Sequence, residues 1–530
     1  MKRIVTMLLI AGTVMTASAV PARRDAIVRT LADGTQKTVF LHGDAFSHYM
    51  TDEAGNWLDE ETLLPMSPEM KAQRMQLNEE RRQARRVQQA RKIGNKPNIA
   101  PRGLVILVNF TDNKFSTSYE TLHDMLDGEN FSRNYEYKYK YQGETYDIKV
   151  QSSGSARKYF HDQSYGQYNP IFDLVGPYTL SHELSYYGKN NDYNVGKMIK
   201  EACELADADG ADFTLYDNDN DGKVDFVYVI YAGYGEADGG PTETVWPHNS
   251  SLDYFWGVSC TVDGKKVANY ACSNELNYFS NQYNGIGTFC HEFSHVLGLP
   301  DLYETNQNPK GLHTLLDWDV LDYGPYNNDG NTPPAYSAYE RFFCGWLTPY
   351  VLSDPEYVWL NPLNFKNGYA MLMCEGDQHN LIGYDPEPKV FYLLEVRTKE
   401  GWDKHLPGKG LLITKISYDA NDWEYNTVNN SATQMGVDLI EAKQNNSDYG
   451  KLADAFPYGA KFWTGFEDHE MTEIAIQQGG SVTFSYRYAP QGIEEVGIQP
   501  SAISTQKVIR DGRMYIQRGD KIYDVMGNVQ

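Results

Sequence analysis

The apolar positions of this chain fall into blocks of different period, and the blocks divide it. From Val20 to about Trp57 short apolar runs alternate with turn signals at Asp33-Gly34, Gly43-Asp44 and Ala54-Gly55, which predicts a small β-rich unit. From Ser67 to about Lys92 the character changes to Met, Gln, Glu and Arg, with Arg81-Arg82 and Arg85-Arg86. That stretch reads as a solvated helix, ended by Gly94 and Pro97. At Gly103-Leu-Val-Ile-Leu-Val-Asn-Phe110 a dense apolar run begins, as expected of a strand buried on both faces, and the principal domain starts here. Within it, Gly154 to Phe160 and Asp192 to Ala208 are helical in pattern, Val227 to Tyr231 and Lys266 to Tyr278 read as strands, and Pro333 to Leu347 as a helix. The Lys266–Tyr278 strand is the candidate edge to which an extended peptide would add. From about Thr348 strands and turns recur, including Val390 to Val396, Gly410 to Ile416 and Gly480 to Tyr488. The expectation is an α+β chain with an N-terminal region at 20–100, a principal domain at 101–350, a β-rich domain at 351–490 and a short β-type tail at 491–530.

One predicted helix carries chemistry: Thr288-Phe-Cys-His-Glu-Phe-Ser-His-Val-Leu-Gly-Leu-Pro-Asp301. His291 and His295 are four apart, so they share a helix face about 6 Å apart along the axis, within reach of one ion. Gly298 can end the helix in the left-handed conformation and Pro300 cannot continue it, so the chain can return Asp301 as a third ligand. Phe293, Val296, Leu297 and Leu299 already supply an apolar face, which leaves both histidines free for a zinc ion with one position open to water. Glu292, beside the metal, is the expected general base, taking a proton from water and passing it to a leaving amine.

A second cluster lies in Tyr216-Asp-Asn-Asp-Asn-Asp-Gly-Lys-Val-Asp-Phe226. Asp217, Asp219, Asp221 and Asp225 fall at near-alternate positions with Gly222 at the turn, as in the first nine places of a calcium loop. Place twelve is Tyr228, so an EF-hand is excluded. A structural calcium site with a backbone carbonyl from Lys223 is expected, because crowded carboxylates repel one another without a cation.

Composition narrows the partners. A net charge of -24 and a pI near 4.9 disfavour nucleic acid and anionic membranes. Met1-Lys-Arg, an apolar run through Val14 and Ala17-Ser-Ala19 form a signal peptide over residues 1–19, and no later run is apolar enough to span a bilayer. An exported protein, secreted or held at the cell surface, is expected. Cys260 and Cys272 either form a local bridge or remain buried free thiols. His248, in Trp246-Pro-His248, could line a cleft, but a lone histidine is more often structural and it is left out of the metal set. An exported hydrolase must stay inactive inside the cell, so residues 20–100 read as a removable pro-region, cut by an activating protease near Arg86 to Arg102; the alternative is a permanent N-terminal domain with a charged linker. No Cys lies between Val20 and Arg102, so any blocking ligand from that region is an oxygen or a nitrogen.

With these motifs the sequence resembles the immune inhibitor A family of secreted bacterial zinc metallopeptidases. The residues that carry the resemblance are His291-Glu-Phe-Ser-His-Val-Leu-Gly-Leu-Pro-Asp-Leu-Tyr303, Asp217 to Asp225 with Tyr231-Ala-Gly, Trp246-Pro-His248, Trp318 to Gly324, Ala335-Tyr-Ser-Ala-Tyr339 and Gly345-Trp346, over roughly residues 103–350. Gly401-Trp-Asp403 and Pro407-Gly to Tyr418 look like the region that follows. The resemblance implies a zincin-type, metzincin-like catalytic domain acting on protein or peptide substrates. Leu321 takes what looks like the place of the methionine beneath the metal. Tyr323, two residues on, is placed as the astacin-like tyrosine is and would hydrogen-bond the tetrahedral oxyanion. Val508 to Gln530 looks like a sorting tail of the type IX secretion kind. Two other readings are a non-catalytic, calcium-stabilised adhesin or glycan-binding protein on the same scaffold, and a zinc amidase acting on cell-wall or glycoprotein linkages. Retention of His291, Glu292 and His295 together disfavours the first.

Overall fold

The Arg102–Asn109 strand, buried from Gly103 onward, lies inside a six-stranded sheet, as its apolar run requires. The computed structural model describes residues 18–31, 34, 36–45, 47–85, 100–141, 143–306, 312–364, 368–443, 450–487, 505–510, 513–518 and 521–523. The strand order in the sheet is Ser18–Ala19, His248–Ser251, Asn269–Leu276, Val227–Tyr234, Arg102–Asn109, Ile171–Thr179. The last four strands are mutually parallel, His248–Ser251 runs antiparallel to Asn269–Leu276, and Ser18–Ala19 adds antiparallel outside it. The expected Lys266–Tyr278 strand therefore forms as Asn269–Leu276 but is interior. Its residues are buried on both faces, which an edge strand cannot be, and the short polar His248-Asn-Ser-Ser251 segment takes the outer position instead.

Alternation along the central strands feeds two cores. Leu104, Ile106 and Val108, with Val229 and Tyr231, pack against Val195, Met198, Ile199 and Ala202 of the Val195–Ala208 helix. Val105, Leu107, Tyr228 and Ile230 face Phe289 and Phe293 of the Gly287–Val296 helix, which carries the two histidines. Phe293 meets Phe160, Phe172 and Phe226 edge-on or tilted, an aromatic box that fixes the helix against the sheet. The helix expected from Asp192 begins at Val195, because Asn190 and Asn191 take left-handed φ of 57° and 55° and kink the preceding turn. The helix expected over Pro333–Leu347 is only Ala338–Phe343. Ser337 and Glu340 form a reciprocal capping box that starts it after the two prolines.

The N-terminal unit is a four-stranded antiparallel sheet of Ile27–Thr30, Gln36–Asp44, Ser47–Thr51 and Trp57–Leu58, followed by the Pro68–Arg85 helix. Residues 86–99, which hold most of the expected cleavage zone, lie outside the described residues. The β-rich region has a five-stranded and a four-stranded sheet with a shared core, including Val358, Met373, Leu394, Ile413 and Phe484. The other face of the five-stranded sheet joins the core of the principal domain through Leu372, Phe391 and Leu393. The chain through Arg487 is one compact unit. From Tyr488 a separate unit contains the antiparallel meander Thr505–Arg510, Arg513–Arg518 and Lys521–Tyr523. All six cysteines are free; Cys260 neighbours Cys203 on the Val195–Ala208 helix, and is not bridged to Cys272. No helix among the described residues is long and apolar enough to cross a membrane.

Candidate metal centre and cleft

His291 and His295 project from one face of their helix with Nε2 atoms 3.2 Å apart. Gly298, at φ 90°, ends the helix as its sequence requires, and the chain brings Asp301 back beneath the two rings. Asp301 Oδ1 lies 3.1 Å from His291 Nε2 and 3.3 Å from His295 Nε2. Both Nδ1 atoms are spoken for: His291 donates to the Val320 carbonyl and His295 to the Leu299 carbonyl, each at 2.8 Å. With Nδ1 protonated, each neutral imidazole turns an Nε2 lone pair toward a carboxylate oxygen that has no hydrogen-bond partner of its own.

Three buried acceptors this close need a cation between them. A tetrahedral zinc site with bonds of about 2.0–2.1 Å has ligand–ligand edges of about 3.3 Å, so the separations of 3.1, 3.2 and 3.3 Å fit such an ion closely. Glu292 also approaches the histidines, all three within 4.8 Å of one another. The tighter triangle is the one closed by Asp301. Burial raises the Asp301 carboxyl, but positive charge at His295 and His291 outweighs it and holds the carboxyl well below the usual carboxylate range; a cation in the triangle would supply that charge with both rings neutral. Burial, then the charge of Asp301, pushes the Glu292 carboxyl well above its ordinary value, opposed by one hydrogen bond from Val20.

The turn expected beneath the site is there. Leu321 is fully buried, its carbonyl accepts the Leu302 N–H at 2.8 Å, and Val320 supplies the carbonyl that orients His291. Gly287 permits close approach of the following loop, since a Cβ there would meet the Pro325 carbonyl at 1.9 Å. Asn426, from the β-rich region, binds Asp301 twice: its Nδ2 donates to Oδ2 at 2.6 Å and its Oδ1 accepts the Asp301 N–H at 2.7 Å.

The cleft holds a segment of the same chain. Ser18–Ala19 lies antiparallel on the edge strand, pairing Ser18 with Asn249 and Ala19 with His248. The Val20 N–H donates to Glu292 Oε1 at 2.9 Å, and the Ala19 carbonyl accepts the Tyr303 hydroxyl at 2.5 Å. Trp246 Nε1 donates to the Val20 carbonyl at 3.0 Å and Tyr326 to the Pro21 carbonyl at 2.6 Å. The Ala19–Val20 peptide bond is thus held beside Glu292 in an extended conformation.

A model of the immune inhibitor A peptidase M6 catalytic domain matches residues 89–346. The catalytic segment belongs to that family. Among curated relatives, the pre-pro-metalloprotease PrtV of Vibrio cholerae is 27% identical over 217 residues, 36% of this chain and 23% of its own length. Immune inhibitor A of Bacillus thuringiensis is 24% identical over 275 residues, 45% of this chain and 39% of its own. The chain thus spans well under half the length of each. By its description that family is one of peptidases, and the His291, His295 and Asp301 triangle is the candidate place for a metal in this segment.

The other expected site residues are placed as follows. The Tyr323 ring lies 4.1 Å under the Arg24 guanidinium, and burial raises its phenol. Asp217, Asp219 and Asp225 converge, with carboxylate oxygens within 4.8 Å of one another. Asp221 turns instead to the backbone, accepting the Lys223 N–H at 2.9 Å. Lys265 reaches Asp217 at 2.6 Å, so part of the negative charge is already met by an ammonium. Burial works to raise Asp217, but Lys265 and two backbone N–H groups hold it below the ordinary value. His248 is structural, as expected: buried, with Nδ1 at 2.6 Å from the Trp246 carbonyl and Nε2 at 2.7 Å from the Tyr270 hydroxyl. Tyr303 and Asn426 were not singled out by sequence reasoning. Tyr303 had a signal, a hydroxyl two residues beyond a ligand; Asn426 had none.

Proposed function

We propose that the protein is an exported zinc endopeptidase, made as a zymogen, in which His291, His295 and Asp301 hold the metal and Glu292 moves the proton. The observation that carries the reading is the Val20 N–H on Glu292 at 2.9 Å, because a leaving amine must receive its proton at that place. A zinc ion bound there would polarise the scissile carbonyl and lower the pKa of water. Glu292 takes the proton of the attacking water; the carbon–oxygen bond forms, the carbon–nitrogen bond breaks, and the proton passes to the amine. Tyr303, on the carbonyl of the seated peptide bond, is the donor that steadies the oxygen as charge builds on it. Tyr323 is a second donor to that oxygen once Arg24 is withdrawn.

Residues 20–100 act as the pro-region. The support is the seating of Val20 to Arg24 in the cleft, where a substrate has to lie, and the name of the Vibrio relative, which records a pre- and a pro-segment. Residues 1–17 of the expected leader lie outside the described residues, and its last two, Ser18–Ala19, are paired to the edge strand. Cleavage after Ala19 leaves the block on the other side of that bond in place. Calcium at Asp217, Asp219 and Asp225, with the Lys223 carbonyl, steadies the loop before the Val227–Tyr234 strand; a thermal midpoint that does not rise with millimolar calcium removes this assignment.

The test is turnover of a denatured protein substrate by the secreted protein. Glu292→Ala should keep its zinc, by elemental analysis, and lose cleavage by orders of magnitude. Parental rates in that variant, or in parent protein stripped of metal by a chelator, would overturn the reading.

A further inference from the structure

We propose that the cleft contains a pocket for a guanidinium or ammonium side chain, built around Asp329, that selects a basic residue four places beyond the cleaved bond of a substrate. The proposal rests on the peptidase reading for its register: with Ala19–Val20 at Glu292, the fourth residue on the amine side is Arg23.

Arg23 is buried, only 8% exposed, although it belongs to a segment that has to leave. Its Nη1 lies 3.0 Å from Asp329 Oδ1, and its guanidinium stacks 4.2 Å from the centre of the Phe279 ring and 5.9 Å from that of Tyr326. The main chain is pinned just ahead of the side chain, by Tyr326 on the Pro21 carbonyl at 2.6 Å and by the Ala237 carbonyl on the Arg23 N–H at 2.8 Å. These anchors fix which residue of an extended peptide enters the pocket.

The pocket is set by the catalytic segment itself. Tyr135 donates to Asp329 Oδ2 at 2.8 Å and Asn277 Nδ2 to Oδ1 at 3.2 Å. Neither partner comes from the N-terminal unit, so Asp329 keeps its orientation when that unit departs. Of the two carboxylates paired with Arg23 among the described residues, Asp25, at 2.5 Å from its Nε, leaves with it and Asp329 stays. Departure of Arg23 therefore removes the guanidinium in contact with Asp329, with Asp238 nearby, in a pocket with aromatic walls; Arg133, which stays, acts on Asp329 electrostatically but donates to Asn331. The carboxylate is left short of its direct ion-pair partner, and a basic substrate side chain supplies one where a neutral one does not.

The experiment uses the secreted, processed zinc enzyme and a set of quenched peptides that differ only in the fourth residue after the cleaved bond: Arg, Lys, Ala or Glu. The parent should favour Arg over Glu by at least about tenfold in kcat/KM, and Asp329→Asn should bring that ratio close to one. Phe279→Ala, which leaves the carboxylate in place, should lower the preference for Arg more than that for Lys. Equal rates for all four peptides in the parent, or an unaltered ratio in Asp329→Asn, would overturn the pocket.

If no peptide is cut at all, the peptidase reading is what has failed, and amide exchange in the full chain still decides the pocket. Asp329→Asn and Arg23→Ala should each speed exchange at Arg23 by about tenfold or more, as expected when a buried pair loses a partner, while Arg23→Lys holds it near the parent rate. Unaltered exchange in Asp329→Asn would sink the assignment.

Discussion

Asn426 closes a ring of two hydrogen bonds on Asp301, across 125 residues of chain. The amide nitrogen takes Oδ2 and so leaves Oδ1 facing the two histidines. The loop that carries Asn426 is itself tied to the ligand's own segment, by the Thr305 hydroxyl on the Asn426 carbonyl at 2.8 Å and by Asn429 Nδ2 on the Leu302 carbonyl at 2.7 Å. The β-rich region is therefore part of the candidate metal site. Groups that orient a ligand are worth about 10–100-fold in metal affinity. Asn426→Ala should lose zinc to a competing chelator at concentrations about that much lower, with the circular dichroism of the parent. Affinity equal to the parent's would mean that Asp301 is held by its own backbone.

The two tyrosines proposed as carbonyl donors can be separated by kinetics. Tyr303 already bonds the carbonyl of the seated peptide bond, whereas Tyr323 faces Arg24. Loss of an oxyanion donor costs about 10²–10³ in kcat with little effect on KM. Tyr303→Phe should show that pattern and Tyr323→Phe a smaller loss. The reverse order would return the role to Tyr323.

What the sequence could carry follows the range of the forces involved. Helix periodicity placed His291 and His295 on one face, and Gly298 with Pro300 made the return of Asp301 readable, because every step is local. The Val390–Arg397 and Gly410–Ser417 strands were legible for the same reason, as apolar runs bounded by turns. Asn426 was not, since nothing near it marks it and its partner is remote in sequence. The edge strand was misread because His248-Asn-Ser-Ser251 has no β-branched or alternating signal. It is a strand only through its pairing with Asn269–Leu276, so tertiary context decides it. The seating of Val20 to Arg24 in the cleft is equally invisible locally, although the need for a pro-region was not.

Cutting the Arg-rich linker should not by itself release activity. The inhibitory contacts are made by Val20 to Arg24, and Arg24 adds an ion pair with Asp317. In the chain these contacts precede a folded four-stranded sheet and the linker follows it, and that sheet stays docked through His48, which stacks on Trp246 at 4.8 Å. A protein nicked between residues 86 and 102 should elute as one particle and remain latent until the N-terminal fragment dissociates or is degraded. Dilution or a second cleavage should then raise the rate with time. Full activity at the instant of nicking, with both fragments still together on a sizing column, would show that the segment does not block the cleft.

Asp238 should give the full chain a stability that declines with pH. It is buried, Oδ1 has no hydrogen-bond partner, and its bond from Asn274 is long at 3.5 Å. Burial is the main cause that raises its carboxyl to about 7, with Asp329 adding and Arg23 opposing. An unfolded chain titrates near 3.8. Between these values the folded state binds a proton that the unfolded state has released, so stability falls as pH rises through the window and is flat above about 7. About three pH units correspond to about 4 kcal/mol. Asp238→Asn removes this group and no other titration, so the gap between the thermal midpoints of variant and parent should widen in favour of the variant from about pH 4 to about pH 7, then hold. Parallel profiles would show that Asp238 ionises freely in the fold.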